Sequence, residues 1–389
     1  MVGREYVQAV IVGAGQAGVS LSYYLQRQQI PHIILERDRP FSSWYNRWEG
    51  FCANTPNWMN TLPMLDANRY PSGLREGFAT KEELTDYFEM CLNAVNPPVI
   101  GNTTVQKIIQ LQNGNWEVHT SKVIYETSHV AICIGAMCNP KLPKVAAKLS
   151  PSISQLHSSH YRNPEQITTK SVLLVGSGSS GMQICKLLIQ SKRFEQINLS
   201  VSNVLVLPTK FLGIKIHRFV HFFGFFDVET DSLLGKLMYS KLETKGDPIM
   251  PPSPSKLAKI FGVELFGRLI DADGTVLRFS DDKSLDTGDL SVIWCTGFQH
   301  DYAFVETQQP TDVFDRTGYP NHKRGVVDAA PGLYFVGLRY QHTVASHDIY
   351  GVAKDAKFVA EHIASPVHLA RPSLATAKQV SKDTLRHVG

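Results

Sequence analysis

Two short stretches constrain this chain more than anything else in it. "IVGAGQAGVS" begins at Ile11 and "LLVGSGSSGM" at Leu173, and each is an apolar run that passes through Gly-x-Gly-x-x-Gly into a helix-forming segment. In the first, Gly13 permits a tight turn, Gly15 lets the backbone approach a pyrophosphate, and Gly18 lets the helix pack on its strand, with Ala14, Gln16 and Ala17 completing the loop. The helix N-terminus then offers free N–H groups and a partial positive charge to phosphate. A glycine pattern alone is weak, but a second strand, "HIILE", follows and ends in Glu36, a carboxylate placed for a ribose hydroxyl, with Arg37 next to it.

The second unit carries Gly176, Gly178 and Gly181 in the same places, with Ser177, Ser179 and Ser180 between them. Its next strand, "INLSVS", ends in Ser202 where the first unit has Glu36. A carboxylate about 5 Å from a 2′-phosphate would cost about 3 kcal/mol at an effective dielectric of about 20, so its absence admits NADPH. An Arg clamp for that phosphate is missing too, and only Lys210 is an obvious cation a few residues on, which leaves NADH open. Two dinucleotide units in one chain imply one cofactor held permanently, FAD on the first, and one that visits as hydride donor on the second. The expected fold is α/β with two Rossmann-type domains: 1–151 as the first part of the FAD domain, 152–291 as an inserted NAD(P)H domain, and 292–389 as the second part of the FAD domain.

Composition narrows the class further. With 389 residues, 43% of them hydrophobic, and a net charge of +4 that is spread and not blocked, the chain reads as a globular protein with no nucleic-acid face. Six scattered cysteines, mostly in apolar segments, suggest a reduced compartment. The apolar run at 6–12 leads into glycines and lacks a basic leader, and no run reaches the ~18 residues of a membrane span, so a cytoplasmic location is expected.

At this point the chain resembles the flavin-containing monooxygenases, most of all their short bacterial forms and the plant YUCCA-type enzymes that act on indole-3-pyruvate. "LERDRPFSSWYNRWEG" is similar to the family's stretch after the ribose acid, with Trp44 at its Trp position. "TPNWMNTLPM", "TKEELTDYFE", "LHSSHYRNP", "VIWCTGFQHD" and "PGLYFVGLRYQHTVASHDIYGVAKDAKFVAEHI" follow in the family's order. The resemblance implies an FAD- and NADPH-dependent enzyme in which dioxygen adds at flavin C4a and one oxygen atom passes to a small nucleophilic or keto-acid substrate. It also places Val105, Trp44 and Thr296 of the late hinge strand among the cofactor contacts. Departures are Pro151 and Ile153 in place of the signature Phe-x-Gly, Phe41 in place of a glycine, "CIG" at 133–135, and Ser202 in place of an Arg.

Asn54 in "CANTP" falls near the family's polar side chain beside the flavin, which would make it a hydrogen-bonder to oxygen or substrate; a turn-forming Asn is the alternative. Gln341 and His342 follow the last strand, at the flavin edge or simply in a loop. Other constellations carry less. "SHD" at 346–348 has triad residue types on adjacent positions that cannot relay to one another, and His157 and His160 lack a third metal ligand nearby, so no metal is expected. "CIGAMC" has redox-disulfide spacing, which makes a flavin or disulfide reductase the rival, alongside a Baeyer–Villiger oxygenase and a nucleotide sensor. That pair lies far from the first cradle, and the last FAD strand ends in Gly337-Leu338 and not in the reductases' Gly-Asp. In "FLGIKIHRFVHFFGFF" (211–226), Leu212, Ile216, Phe219, Val220 and Phe223 share a helical stripe, read as core or the wall of a tunnel for a hydrophobic or aromatic substrate, with membrane-surface contact as the lesser alternative.

Overall fold

The computed structural model describes residues 3–66, 73, 75–202, 204–245 and 248–365. Two parallel five-stranded sheets dominate it, both α/β and both built on one plan. In the first sheet Ala9–Val12 is central, with His32–Leu35 on one side and His129–Ile132 on the other, flanked by Val99–Ile100 and Leu333–Phe335. Chain order therefore reverses at Ala9–Val12, and the open end of that strand is the crevice where doubly wound sheets bind nucleotides. All four residues of this strand are buried, as a parallel sheet covered on both faces requires.

The second sheet repeats the arrangement. Ser171–Val175 is flanked by Gln196–Ser200 and Leu290–Trp294, with Glu264–Phe266 and Gln155–His157 outside. Its strands all lie within 155–294, and the strand Leu290–Trp294 spans residue 291, where the sequence expectation ends the inserted domain. The part of the chain beyond 365, which the sequence assigns to the FAD domain, lies outside the described residues. A mixed five-stranded sheet (Gly3–Tyr6, Val123–Thr127, Trp116–Thr120, Val105–Gln110, Val305–Glu306), antiparallel among its three middle strands and parallel at both edges, and a three-stranded antiparallel one add to the architecture. Gly114 turns the Val105–Thr120 hairpin at φ +85°, with Asn115 N–H donating to Asn113 Oδ1.

Helix Gln16–Arg27 packs on helix Ile349–Ile363, closing N- and C-terminal parts over one core that includes Leu21, Leu25, Val352, Val359 and Ile363. Helix Lys81–Val95 starts in a capping box, Thr80 Oγ1 accepting from Glu83 N–H while Glu83 accepts from Thr80 N–H.

The 211–226 segment corrects the sequence reading. Gly213 and Gly224 adopt φ of +80° and +68°, so the α-helix is confined to Ile216–Phe222, a separate 3-10 turn starts at Phe225, and Leu212 sits on a hairpin tip. Ile216 is buried, but Leu212 is 82% exposed and Phe223 58%, so the stripe is neither core nor an enclosed tunnel wall. The Phe219 ring instead contacts those of Phe211 and Phe223, and His221 packs against Trp58 and Tyr350.

Candidate active site

The strand Ala9–Val12 delivers its glycine loop into a cleft of about 600 Å³. Gly13 has φ +102°, and a Cβ there would meet the Cys133 carbonyl oxygen at 2.8 Å; a Cβ on Gly18 would lie 1.9 Å from the Gly13 oxygen. Both are therefore glycines because protein backbone occupies the space. Gly15 is different: nothing lies within 4 Å of its Cβ position, and it lines the cleft. The second loop repeats this, with Gly176 and Gly181 crowded by Cys295 and Gly176 oxygens and Gly178 open. Open space at the middle glycine is the place a pyrophosphate would fill, so both loops fit a dinucleotide.

Glu36 is buried at the cradle mouth. Its Oε2 accepts from Ala14 N–H at 2.7 Å and its Oε1 from Asp38 N–H at 3.0 Å, which fixes the carboxylate and leaves lone pairs facing the cleft for a ribose. Arg37, Thr103, Thr104 and Val105 continue the wall at this end. At the other end Trp44 Nε1–H donates to Gln16 Oε1 and Gln16 Nε2–H donates to the His347 carbonyl, each at 3.0 Å. Ala17, Gly337 and His347 line the same region, and the buried His347 Nδ1 has no hydrogen-bond partner among the described residues. Phe41, standing where the family has glycine, takes φ +57°; its ring stacks on Phe88 at 4.4 Å, so burial offsets about 1 kcal/mol of left-handed strain.

The two segments that cross between the sheets meet at the cleft. Asn139–Pro140 pairs antiparallel with Phe298–Gln299, Thr296 Oγ1–H donates to the Lys141 carbonyl, and His157 Nε2 lies 3.0 Å from the Gly297 oxygen. Burial lowers the His157 pKa, which favours the neutral ring that donates to that carbonyl. Ser158, Ser159, His160 and Arg162 line the cleft as well.

The remaining sequence-identified residues scatter. Ser202 is exposed and gives its N–H to Ser177 Oγ at 3.2 Å, while Lys210 lies on the hairpin opposite Lys215. Ser179 and Ser180 open the helix Ser179–Ser191. Asn54 is outside the cleft lining; its Oδ1 accepts from Gln183 on that helix, joining the two halves. Gln341 is buried with its amide committed to loop backbone, accepting from Leu338 N–H and donating to the Arg324 carbonyl, so it serves the turn after the last strand and not the cleft wall. Ser346 Oγ accepts from His342 and Thr343 N–H groups, which leaves the "SHD" stretch without a relay. Cys133 and Cys138 are unbridged, and burial raises both thiol pKa values, the opposite of a reactive dithiol. Among the described residues no three His, Cys, Asp or Glu side chains gather to hold a metal, and no helix is long and apolar enough to cross a membrane. His347 and Arg47 both line the cleft, a role the sequence does not assign them: His347 is set aside there with the "SHD" stretch, and Arg47 lies in the Trp44 segment without being singled out.

Comparison with known proteins agrees with this geometry. Residues 10–195 match the family model of pyridine nucleotide-disulphide oxidoreductases. An "uncharacterized oxidoreductase CzcO-like" of Geobacillus kaustophilus is 31% identical over 362 residues, covering 92% of this chain and 99% of that protein. A probable indole-3-pyruvate monooxygenase, YUCCA4 of Arabidopsis thaliana, is 22% identical over 91% of this chain and 89% of its own length. Among solved structures, the flavin-containing monooxygenase of Stenotrophomonas maltophilia superposes with a TM-score of 0.70 at 20% identity, covering 92% of this chain and 98% of that one. The protein shares its fold with the flavin monooxygenases, and by its 31% identity over nearly the whole chain it is an enzyme that belongs to the family of the CzcO-like oxidoreductases.

Proposed function

We propose that this enzyme binds FAD on the 13–18 loop, takes hydride from NADPH bound on the 176–181 loop, and inserts one atom of dioxygen into a small nucleophilic or keto-acid substrate. The observation that carries the reading is the junction at the cleft: the two crossing segments pair with one another, and Thr296 and His157 tie them down where the second nucleotide unit meets the first. When bound, the flavin would supply hydride acceptance and the activation of dioxygen. The chain's own residues do the rest. Backbone N–H groups of the first loop receive the pyrophosphate, and Glu36 accepts from the ribose. Gln16 fixes the Trp44 indole over the cleft, and Trp44, Trp48 and Phe298 on its wall limit water. Asn54 is the proposed polar contact for substrate from the far side, since its Nδ2 donates to no described group.

The test is to purify the protein, record the flavin spectrum, and supply NADPH and air with amines, sulfides, indoles or keto acids. Product formation that survives in a Cys133→Ser, Cys138→Ser double variant supports the reading. Thiol-dependent disulfide reduction lost in that variant would instead establish the reductase.

A further inference from the structure

We propose that Arg47 is an anion receptor on the wall of the cleft, built to take a carboxylate or phosphate brought by an exchangeable ligand. Arg47 lines the cleft and is half-buried. Its guanidinium carbon lies 5.4 Å from the Trp44 ring, 5.9 Å from Trp48 and 5.4 Å from Phe51. Aromatic faces offset part of the cation's charge but accept none of its N–H donors as a carboxylate would. Among the described residues Nη2 finds only the Met137 thioether, at 3.6 Å, and the buried Nε has no partner.

No carboxylate pairs with Arg47 among the described residues. Glu49, two positions on, turns away to accept from Asn163 Nδ2 at 2.9 Å and is exposed. The other arginine nearby on the wall, Arg162, spends Nη1 on the carbonyls of Ser159 and Tyr161. Burial pushes the Arg47 guanidinium down to about 10, so it stays charged at neutral pH. A charge withdrawn from water without a counter-ion is unfavourable, and a structure that keeps one on a cleft wall has a place for an anion. Arg presents a planar fork matched to carboxylate and phosphate oxygens, which favours a bidentate contact there.

Two sources fit that chemistry under the proposed function, on which the choice of ligands rests: the carboxylate of a keto-acid substrate, or a phosphate of the nicotinamide nucleotide. Holoenzyme with FAD bound distinguishes them. Binding of phenylpyruvate, of its neutral ethyl ester and of NADP+ is followed through the flavin absorbance in the wild type, in Arg47→Met, which suits the aromatic surroundings, and in Arg47→Lys, which keeps the charge. We expect the Met variant to weaken one anion about tenfold or more, the Lys variant to recover part of it, and the ester to be indifferent. Loss confined to phenylpyruvate identifies a substrate carboxylate; loss confined to NADP+ identifies a nucleotide phosphate. Unchanged affinity for both anions, or binding of neither by the wild type, overturns the proposal. So does loss of FAD from the Met variant, which would assign the cation to the flavin's own pyrophosphate. These are binding measurements on oxidised enzyme: NADPH oxidation yielding only hydrogen peroxide would defeat the monooxygenase reading and leave them standing.

Discussion

The indole N–H of Trp44 and the side-chain oxygen of Gln16 are 3.0 Å apart, and the same Gln16 donates to the carbonyl of His347. One amide thus joins the glycine-loop helix, the Trp44 segment and the approach to the last helix around the cleft. Replacing it with Leu leaves a half-buried indole N–H and a carbonyl unpaired, at about 1–3 kcal/mol each. Gln16→Leu should lower FAD affinity in reconstitution titrations and shift Trp fluorescence. Wild-type affinity with an unshifted spectrum would show that the bridge does not shape the flavin site.

Gly15 and Gly18 of the first loop should fail in different ways. Gly15→Ala adds a methyl into open space, so the apoprotein should keep its Tm while losing FAD from the purified protein. Gly18→Ala drives a methyl to 1.9 Å from the Gly13 carbonyl oxygen, so the fold itself should lose about 1–3 kcal/mol or more in urea unfolding. Stoichiometric FAD in Gly15→Ala would remove the pyrophosphate assignment.

Both cradles are legible in the sequence because strand, glycine loop and helix are contiguous, and the crowding of Gly18 against the Gly13 carbonyl and of Gly181 against the Gly176 carbonyl arises within each loop. The Gln16–His347 contact is not, since its partners lie 331 residues apart and meet only when helix Ile349–Ile363 closes on helix Gln16–Arg27. Arg47 escapes for the same reason: Glu49, two positions on, is the carboxylate nearest to it in sequence, and only the fold turns that carboxylate to Asn163. At 211–226 a helical period misleads because Gly213 and Gly224 interrupt the segment in a conformation that a periodicity argument ignores.

Ser202 follows the strand Gln196–Ser200, exposed, with its backbone N–H bonded to Ser177 Oγ. An Arg at this position would leave that bond intact and could reach a 2′-phosphate. Ser202→Arg should raise the kcat/KM ratio of NADPH over NADH by about tenfold or more, up to about a hundredfold, as a charge-assisted contact of about 1.5–3 kcal/mol implies. An unchanged ratio would mean that residue 202 does not face the phosphate.

Acid should destabilise the protein through His322. Burial lowers its pKa to about 4, and its Nδ1 accepts from Gly325 N–H at 3.2 Å, a bond that needs the neutral ring. In the unfolded chain His titrates near about 6.5, so as pH falls the unfolded state takes up the proton first. The stability is full above about 6.5 and is lost as pH falls from there towards about 4, by up to about 3 kcal/mol. His322→Asn, which can accept from the same N–H, should flatten the pH dependence of urea unfolding across that window. An unaltered slope would assign the acid sensitivity to other groups.

The central claim is that reduced flavin in this cleft passes an oxygen atom to substrate and not merely electrons to oxygen. Its most direct test supplies NADPH, a turned-over substrate from the screen and dioxygen enriched in the heavy isotope, then weighs the product and titrates hydrogen peroxide. The account predicts one labelled oxygen atom per product molecule and peroxide well below the NADPH consumed. Peroxide equal to the NADPH oxidised, with no labelled product from any substrate, would contradict it.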